Sequence, residues 1–156
     1  MTIVTDMTRT IRLAAACTLF AALAACSAPK FKTDYAVNVT FTPAAAAKLK
    51  ADGQPAQLEA YYYGAPIDAV KEKANEQGQV ELGLDQVSID PSTPTVTVKG
   101  DGFDLAHRDK VVDGKVTVEL RVYSQAAAPN DLKCTTVTAA LSDIQAKSPT
   151  ISCDAA

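Results

Sequence analysis

Tryptophan is absent from this sequence of 156 residues, aromatic residues make up only 6% of it, and His107 is its single histidine. A zinc site that needs two or three histidines is therefore excluded. A Ser-His-Asp arrangement would have to use His107, and no Gly-x-Ser-x-Gly motif accompanies it. Phosphate-binding glycine loops and dinucleotide fingerprints are missing as well. We therefore predict a protein that is not an enzyme and holds no cofactor, with His107 exposed in the polar segment 105–109.

Basic residues are also scarce, because 15 Lys+Arg against 18 Asp+Glu give a net charge of −3. A nucleic-acid-binding protein needs a basic face, so this balance argues against a nucleic-acid partner. Calcium binds several carboxylate oxygens on one loop, and four aspartates gather in one part of the chain. Their spacing is not that of an EF-hand, and acidic turns between strands are common, so we predict no metal site. The four residues are Asp101, Asp104, Asp109 and Asp113.

The longest apolar run lies near the N-terminus. Thirteen uncharged residues, Leu13–Ala25, follow Arg9 and Arg12. A helix of that length rises about 20 Å, short of the roughly 30 Å of a hydrocarbon core. The layout is typical of a secretory signal peptide over residues 1–25, with translation starting at the first residue or at Met7. Its removal would change the net charge from −3 to −4, because two arginines and one aspartate are lost.

The end of this run, Leu23-Ala24-Ala25-Cys26, resembles the lipobox of bacterial lipoproteins. The resemblance implies that the peptide is cut before Cys26 and that this cysteine carries lipid such as palmitate. Ser27 at the next position is similar to the outer-membrane members of that family. Residues 26–34 would then form a short polar tether that reaches at most about 30 Å, so the domain would face the periplasm close to the membrane. The alternative is an ordinary signal peptide cut at a neighbouring alanine.

Two further cysteines, Cys134 and Cys153, would remain in the exported chain. Cysteine pairs in exported proteins commonly form disulfides, because the periplasm is oxidising. A metal site would need other ligands nearby, and a redox pair would have Cys-x-x-Cys spacing. We predict a Cys134–Cys153 disulfide that stabilises the fold by about 3 kcal/mol on the chain-entropy model.

Alternation of apolar and polar residues predicts an all-β domain over residues 35–156. The clearest strand is 115–124, and the Asp113-Gly114 turn predicts that it forms a hairpin with residues 110–112. Thr42 and Pro43 predict one short helix over 43–51. Residues 68–77 fit either a polar helix or a loop. The remaining strands are predicted at 35–41, 56–63, 79–84, 95–99, 134–141 and 150–153.

Seven or so short strands separated by turn residues predict an antiparallel β-sandwich. The architecture resembles small sandwich lipoproteins, transthyretin-like or immunoglobulin-like, that serve as accessory subunits of envelope machines such as type VI secretion systems. This resemblance implies an envelope protein as partner. The likeness is architectural, and fold by itself does not determine function.

Tyrosines form the most suggestive surface group. Tyr61 and Tyr63 share a strand face with Glu59, and Tyr123 shares its face with Glu119 and Arg121. If the two strands are neighbours, these side chains form one exposed patch, and tyrosine and arginine are favoured at protein interfaces. Cross-strand packing on a solvated sheet face is the simpler interpretation. The candidate binding face is Tyr61, Tyr63, Glu119, Arg121 and Tyr123.

These patterns together predict a lipid-anchored envelope protein with a non-catalytic binding or assembly role. A second hypothesis is an inhibitor of a host hydrolase such as lysozyme, which would insert the loop 125–133 into a cleft. A third is a small envelope enzyme, which requires that His107 or Asp109 line a sizeable pocket.

Overall fold

The computed structural model describes residues 31–125 and 132–156, within which Lys32–Ala156 form one compact unit. The predicted signal peptide 1–25, Cys26 and most of the tether lie outside the described residues. No helix in the described part of the chain is long and apolar enough to cross a membrane. The strands are β1 Tyr35–Phe41, β2 Ala56–Gly64, β3 Val80–Ile89, β4 Thr95–Val98, β5 Thr117–Ser124, β6 Leu132–Cys134, β7 Val137–Ala140 and β8 Thr150–Ala155.

The strands form two four-stranded sheets, one ordered β4-β1-β8-β6 and the other β3-β2-β5-β7. All pairs are antiparallel except β1 with β8, which run parallel. The described chain is therefore mostly β, and the two sheets are consistent with the predicted β-sandwich. Below, the sheet ordered β3-β2-β5-β7 is called the second sheet.

Strict alternation explains why these segments form strands with one buried face. In β2 every second residue is buried, beginning with Ala56 and continuing through Leu58 and Ala60 to Tyr62. The residues between them are half-buried. β5 repeats the pattern with Val118, Leu120 and Val122 inside. Since successive strand side chains point to opposite faces, one face of each sheet packs into the core and the other is left for solvent.

Two α-helices, α1 Pro43–Asp52 and α2 Leu141–Lys147, interrupt the strands. The first confirms the predicted helix: Thr42 accepts a hydrogen bond from the Ala45 N–H at 3.3 Å, as an N-cap does. The second corrects the prediction of one short helix and of a strand reaching residue 141. Residues three apart share a helix face, and the face of α2 that carries Leu141 and Ile144 is the buried one.

The predicted hairpin between 110–112 and 115–124 is wrong. Residues 112–115 form a tight turn, in which Asp113 and Gly114 both have a positive φ and the Lys115 N–H donates to the Val112 carbonyl at 3.1 Å. Both edges of β5 are occupied by β2 and β7, so no edge remains for residues 110–112. The ambiguous segment 68–77 begins with a 3-10 helix over Asp68–Lys73, and Leu105–Lys110 forms another.

A buried chain of hydroxyl groups connects the two sheets. The Tyr35 and Tyr62 hydroxyls lie 3.0 Å apart, and Tyr62 donates to Asp85 Oδ2 at 2.7 Å. The other Asp85 oxygen accepts from the Gly102 N–H at 2.8 Å. Burial raises the pKa of both tyrosines well above the ordinary value, so both remain neutral hydrogen-bond donors.

Strand β3 contains a bulge that brings a distant loop onto its outer edge. The register of β2 with β3 shifts between Tyr62 and Tyr63, and Gly83 has a φ of 118°. Gly83 forms an isolated antiparallel bridge with Phe103, and the Asp104 N–H donates to the Leu82 carbonyl at 2.6 Å. Phe103 thereby packs its ring edge-to-face against Tyr62 with centroids 5.3 Å apart. The bulge therefore positions the segment that leads into the 3-10 helix carrying His107.

Candidate functional site

The outer face of the second sheet carries all five predicted binding residues. Strands β2 and β5 are hydrogen-bonded neighbours, with Tyr61 opposite Glu119 and Tyr63 opposite Thr117. The condition on which the predicted patch depends is therefore met. We use the name tyrosine face for the predicted residues together with Glu59: Glu59, Tyr61, Tyr63, Glu119, Arg121 and Tyr123.

One ion pair lies in the middle of the tyrosine face. The Arg121 Nε donates to Glu119 Oε1 at 2.7 Å, and Arg121 Nη2 lies 2.5 Å from the same oxygen. The arginine side chain is mostly exposed and the glutamate is mostly covered. An exposed pair of this kind contributes little to stability. Its guanidinium remains accessible to a partner from the solvent side.

A second group of polar contacts holds Tyr123. Its hydroxyl donates to Glu59 Oε2 at 3.4 Å and accepts from Gln86 Nε2 at 3.2 Å. Gln86 also donates to the same Glu59 oxygen at 3.4 Å. Burial, followed by the nearby Glu59 carboxylate, raises the pKa of Tyr123. Strands β2 and β3 thus contribute one side chain each, Glu59 and Gln86, to hold the Tyr123 ring of β5.

Tyr61 and Tyr63 lie side by side at the opposite end of the face. Their ring centroids are 5.4 Å apart and the planes are tilted by 31°. The Tyr61 hydroxyl accepts from Asn75 Nδ2 at 3.5 Å. Burial, followed by contact with Glu81, raises the pKa of Tyr61 from 10.0 to about 12. Tyr61 is therefore a neutral hydroxyl at physiological pH.

Strand β3 adds residues that the sequence analysis did not assign to the face. Leu84 lies opposite Tyr61 in the β2–β3 register and is 43% exposed. Gln86 lies opposite Glu59. Leu84 is the last residue of the predicted strand 79–84, and Gln86 follows the same alternation beyond that end, so a longer strand assignment would have placed Gln86 on this face.

The face is acidic as a whole. Glu59 and Glu119 contribute two carboxylates, the neighbouring Glu81 on β3 adds a third opposite Tyr63, and Arg121 is the cation paired with Glu119. The two surfaces of an interface usually have electrostatic potentials of opposite sign. A partner surface with basic residues therefore fits this face better than an acidic one.

His107 and Asp109 line two different clefts. His107 borders one of about 420 Å³, and Asp109 borders one of about 540 Å³. The His107 Nδ1 lies 2.8 Å from Asp104 Oδ2. Among the described residues no serine lines either cleft, so these positions assemble no Ser-His-Asp arrangement. In the same part of the chain no three His, Cys, Asp or Glu side chains converge as a metal site would require, the four aspartates at 101–113 included.

Cys134 and Cys153 meet at the edge of the other sheet. Cys134 on β6 lies directly opposite Cys153 on β8, their Cα atoms are 4.1 Å apart, and a disulfide joins them. The predicted pairing is thus present in the structure. The bond encloses β7 and α2, so it ties the last strand of the chain to a segment nineteen residues earlier.

No family model, no curated protein and no solved structure matches this chain. The candidate loop of the inhibitor hypothesis, 125–133, contains residues 126–131, which lie outside the described residues.

Proposed function

We propose that this protein is a lipid-anchored protein of the bacterial cell envelope that binds another envelope protein through the tyrosine face and has no catalytic activity of its own. The observation that carries the proposal is the alignment of Tyr61, Tyr63 and Tyr123 with an arginine–carboxylate pair on one accessible sheet face. Tyrosine and arginine supply large contact areas together with polar bonding, and they dominate the energetics of many interfaces.

The rest of the proposal follows from the sequence. Lipid on Cys26 would attach the domain to the outer membrane, and the tether 26–34 would keep the tyrosine face close to other envelope components. An immunoglobulin-like or transthyretin-like sandwich suits such a role, because it presents a sheet face without a deep active site. The acidic balance of the face selects a partner with basic residues.

Site-specific photo-crosslinking in living cells tests the binding face. A photoreactive residue at Leu84, beside Tyr61, is expected to yield one discrete crosslinked partner. The matched control is Thr97 on β4, which is exposed on the other sheet and has Thr95 and Lys99 two residues away on either side. Adding Tyr61→Ala is expected to reduce the Leu84 crosslink by about tenfold or more, since truncating an interface hot spot costs about 2 kcal/mol.

Three results would contradict this part of the proposal. Equal crosslinking from Leu84 and Thr97, or none from either, would mean that the face binds no specific protein. A crosslink that forms only from Gln125 and captures a host hydrolase would support the inhibitor hypothesis instead. An undiminished Leu84 crosslink in the Tyr61→Ala protein would place the binding energy elsewhere.

Metabolic labelling tests the anchor independently of the partner. Radiolabelled palmitate is expected to enter the full-length protein and to be absent from the Cys26→Ala form. Cys17→Ala is the matched control, because Cys17 lies within the predicted signal peptide and its loss should leave labelling unchanged. If the Cys26→Ala protein is labelled, or is matured and released just as the unmodified protein is, the lipid anchor is wrong.

A further inference from the structure

A cleft beside the tyrosine face has walls from three separate segments. The 3-10 helix Asp68–Lys73 contributes Val70 and Lys73, the start of β3 contributes Val80 and Glu81, and the 3-10 helix Leu105–Lys110 contributes its last residue, Lys110. Its volume of about 420 Å³ lies in the range of sites for small molecules. The two valines supply an apolar wall, and the charged groups lie around it.

The cations of this cleft are not neutralised by ion pairs. Among residues 31–125 and 132–156, neither Lys73 nor Lys110 makes a salt bridge, although the chain as a whole carries a net charge of −3. His107 also lines the cleft, and its Nδ1 is engaged by Asp104, so Nε2 is the ring nitrogen left for a ligand. Two unpaired ammonium groups and an imidazole in one concave site favour a bound anion.

The single carboxylate in the cleft is drawn towards other partners. Glu81 Oε1 accepts from Asn75 Nδ2 at 3.5 Å, and Glu81 also contacts the Tyr61 hydroxyl. Asn75 itself is held by the backbone, because its Oδ1 accepts from the Gln79 N–H at 2.9 Å and from the Gln77 N–H at 3.1 Å. These bonds orient Asn75 before any ligand arrives. Two lysines against one carboxylate give the lining of the cleft a positive balance of charge.

The backbone also holds the two walls of the cleft together. The wall with His107 and Lys110 follows Phe103, whose segment is bonded to the edge of β3 at Leu82 and Gly83. On the other side, the Ile67 N–H donates to the Lys110 carbonyl at 2.9 Å. A site whose walls are bonded in this way needs little reorganisation to bind a ligand.

We infer that this cleft binds a small organic anion, in which a carboxylate or phosphate group meets Lys73 and Lys110 and an apolar group packs on Val70 and Val80. The tyrosine face and this cleft share only the Asn75–Glu81–Tyr61 contacts, so the inference does not depend on the proposed protein partner. Such an anion has two sources, a soluble molecule or the headgroup of an anionic phospholipid.

Titration of the full-length, isotope-labelled protein in a neutral detergent distinguishes these sources. Phenyl phosphate is the soluble probe and phenol its uncharged control; short-chain phosphatidylglycerol is the lipid probe and short-chain phosphatidylcholine its control. Saturable shifts of the backbone amides at 70–81 and 105–110 with phenyl phosphate are expected for a soluble anion, and shifts with phosphatidylglycerol alone indicate the headgroup. If neither anion shifts these amides, or if phenol shifts them as strongly, the inference is wrong.

Charge substitutions test the geometry of the site. Lys73→Gln and Lys110→Gln are each expected to weaken binding of the responding probe about tenfold, the typical cost of losing one charge-assisted hydrogen bond. Lys71→Gln is the matched control, because Lys71 is an exposed lysine of the same 3-10 helix that does not line the cleft. Equal weakening by Lys71→Gln would show that only the diffuse charge of the helix attracts the probe, which would overturn the site.

Discussion

Replacing Gly83 with alanine is expected to destabilise the protein by about 4 kcal/mol, near the upper end for a single substitution. Gly83 has a φ of 118°, a conformation that L side chains rarely adopt, and a Cβ atom there would lie 1.9 Å from the Gly102 carbonyl oxygen. Both obstacles are made of backbone, so no side-chain rotation relieves them. The β3 edge would have to separate from the segment that carries Phe103.

Chemical denaturation of the variant and of a matched control measures this effect. Gly78→Ala is the control, because Gly78 also has a positive φ of 72° but a Cβ atom there meets nothing within 4 Å. The free energy of unfolding of the control should fall by only about 1–2 kcal/mol, which is the cost of the left-handed conformation for alanine. Equal losses of unfolding free energy in the two variants would mean that the close approach of the Gly102 carbonyl adds nothing to the cost of a Cβ atom at Gly83.

The same substitution should also affect the proposed anion site. The wall with His107 and Lys110 is attached to β3 through the Gly83–Phe103 bridge and the Asp104–Leu82 hydrogen bond. Under conditions in which Gly83→Ala is still folded, amide exchange at 103–110 is therefore expected to accelerate more than exchange in β1 or β8. Uniform acceleration over the whole domain would indicate a general loss of stability instead.

Removing the Cys134–Cys153 disulfide is expected to destabilise the fold by about 3 kcal/mol and to lower the Tm by roughly 10 °C. The bond closes a loop that contains β7 and α2, so its loss raises the entropy of the unfolded chain. Alanine at both positions is the suitable variant. Cys153 is 2% exposed, and a buried serine hydroxyl would add a penalty of its own.

Thermal unfolding with and without a reductant provides the control. The reductant should lower the Tm of the unmodified protein towards that of the Cys134→Ala, Cys153→Ala variant and should leave the variant unchanged. The prediction is wrong if the Tm of the variant lies less than 1 °C below that of the oxidised, unmodified protein. The β6–β8 pairing alone would then hold the C-terminal strand in place.

Several features of the fold could be predicted because their signals are local. The alternation in β1, β2 and β5 reflects one buried and one exposed face, and α1 begins at a hydroxyl cap followed by proline. The missed helix α2 has only two buried residues, too few for a clear helical period over seven residues. Asp113-Gly114 forms a tight turn with both residues at positive φ, but β2 and β7 occupy the edges of β5, so no hairpin follows, and local sequence does not contain that information.

The candidate site shows the same division. The sequence determined which side chains share a face of each strand, because alternation depends only on neighbouring residues. Tertiary structure alone decided that β2 and β5 are adjacent and aligned, so that Tyr123 meets Glu59 across 64 residues of chain, and that the Gly83 bulge brings the His107 helix beside β3. Such pairings depend on which strand edges and core surfaces remain available once the whole chain has packed, and no short segment of sequence contains that information.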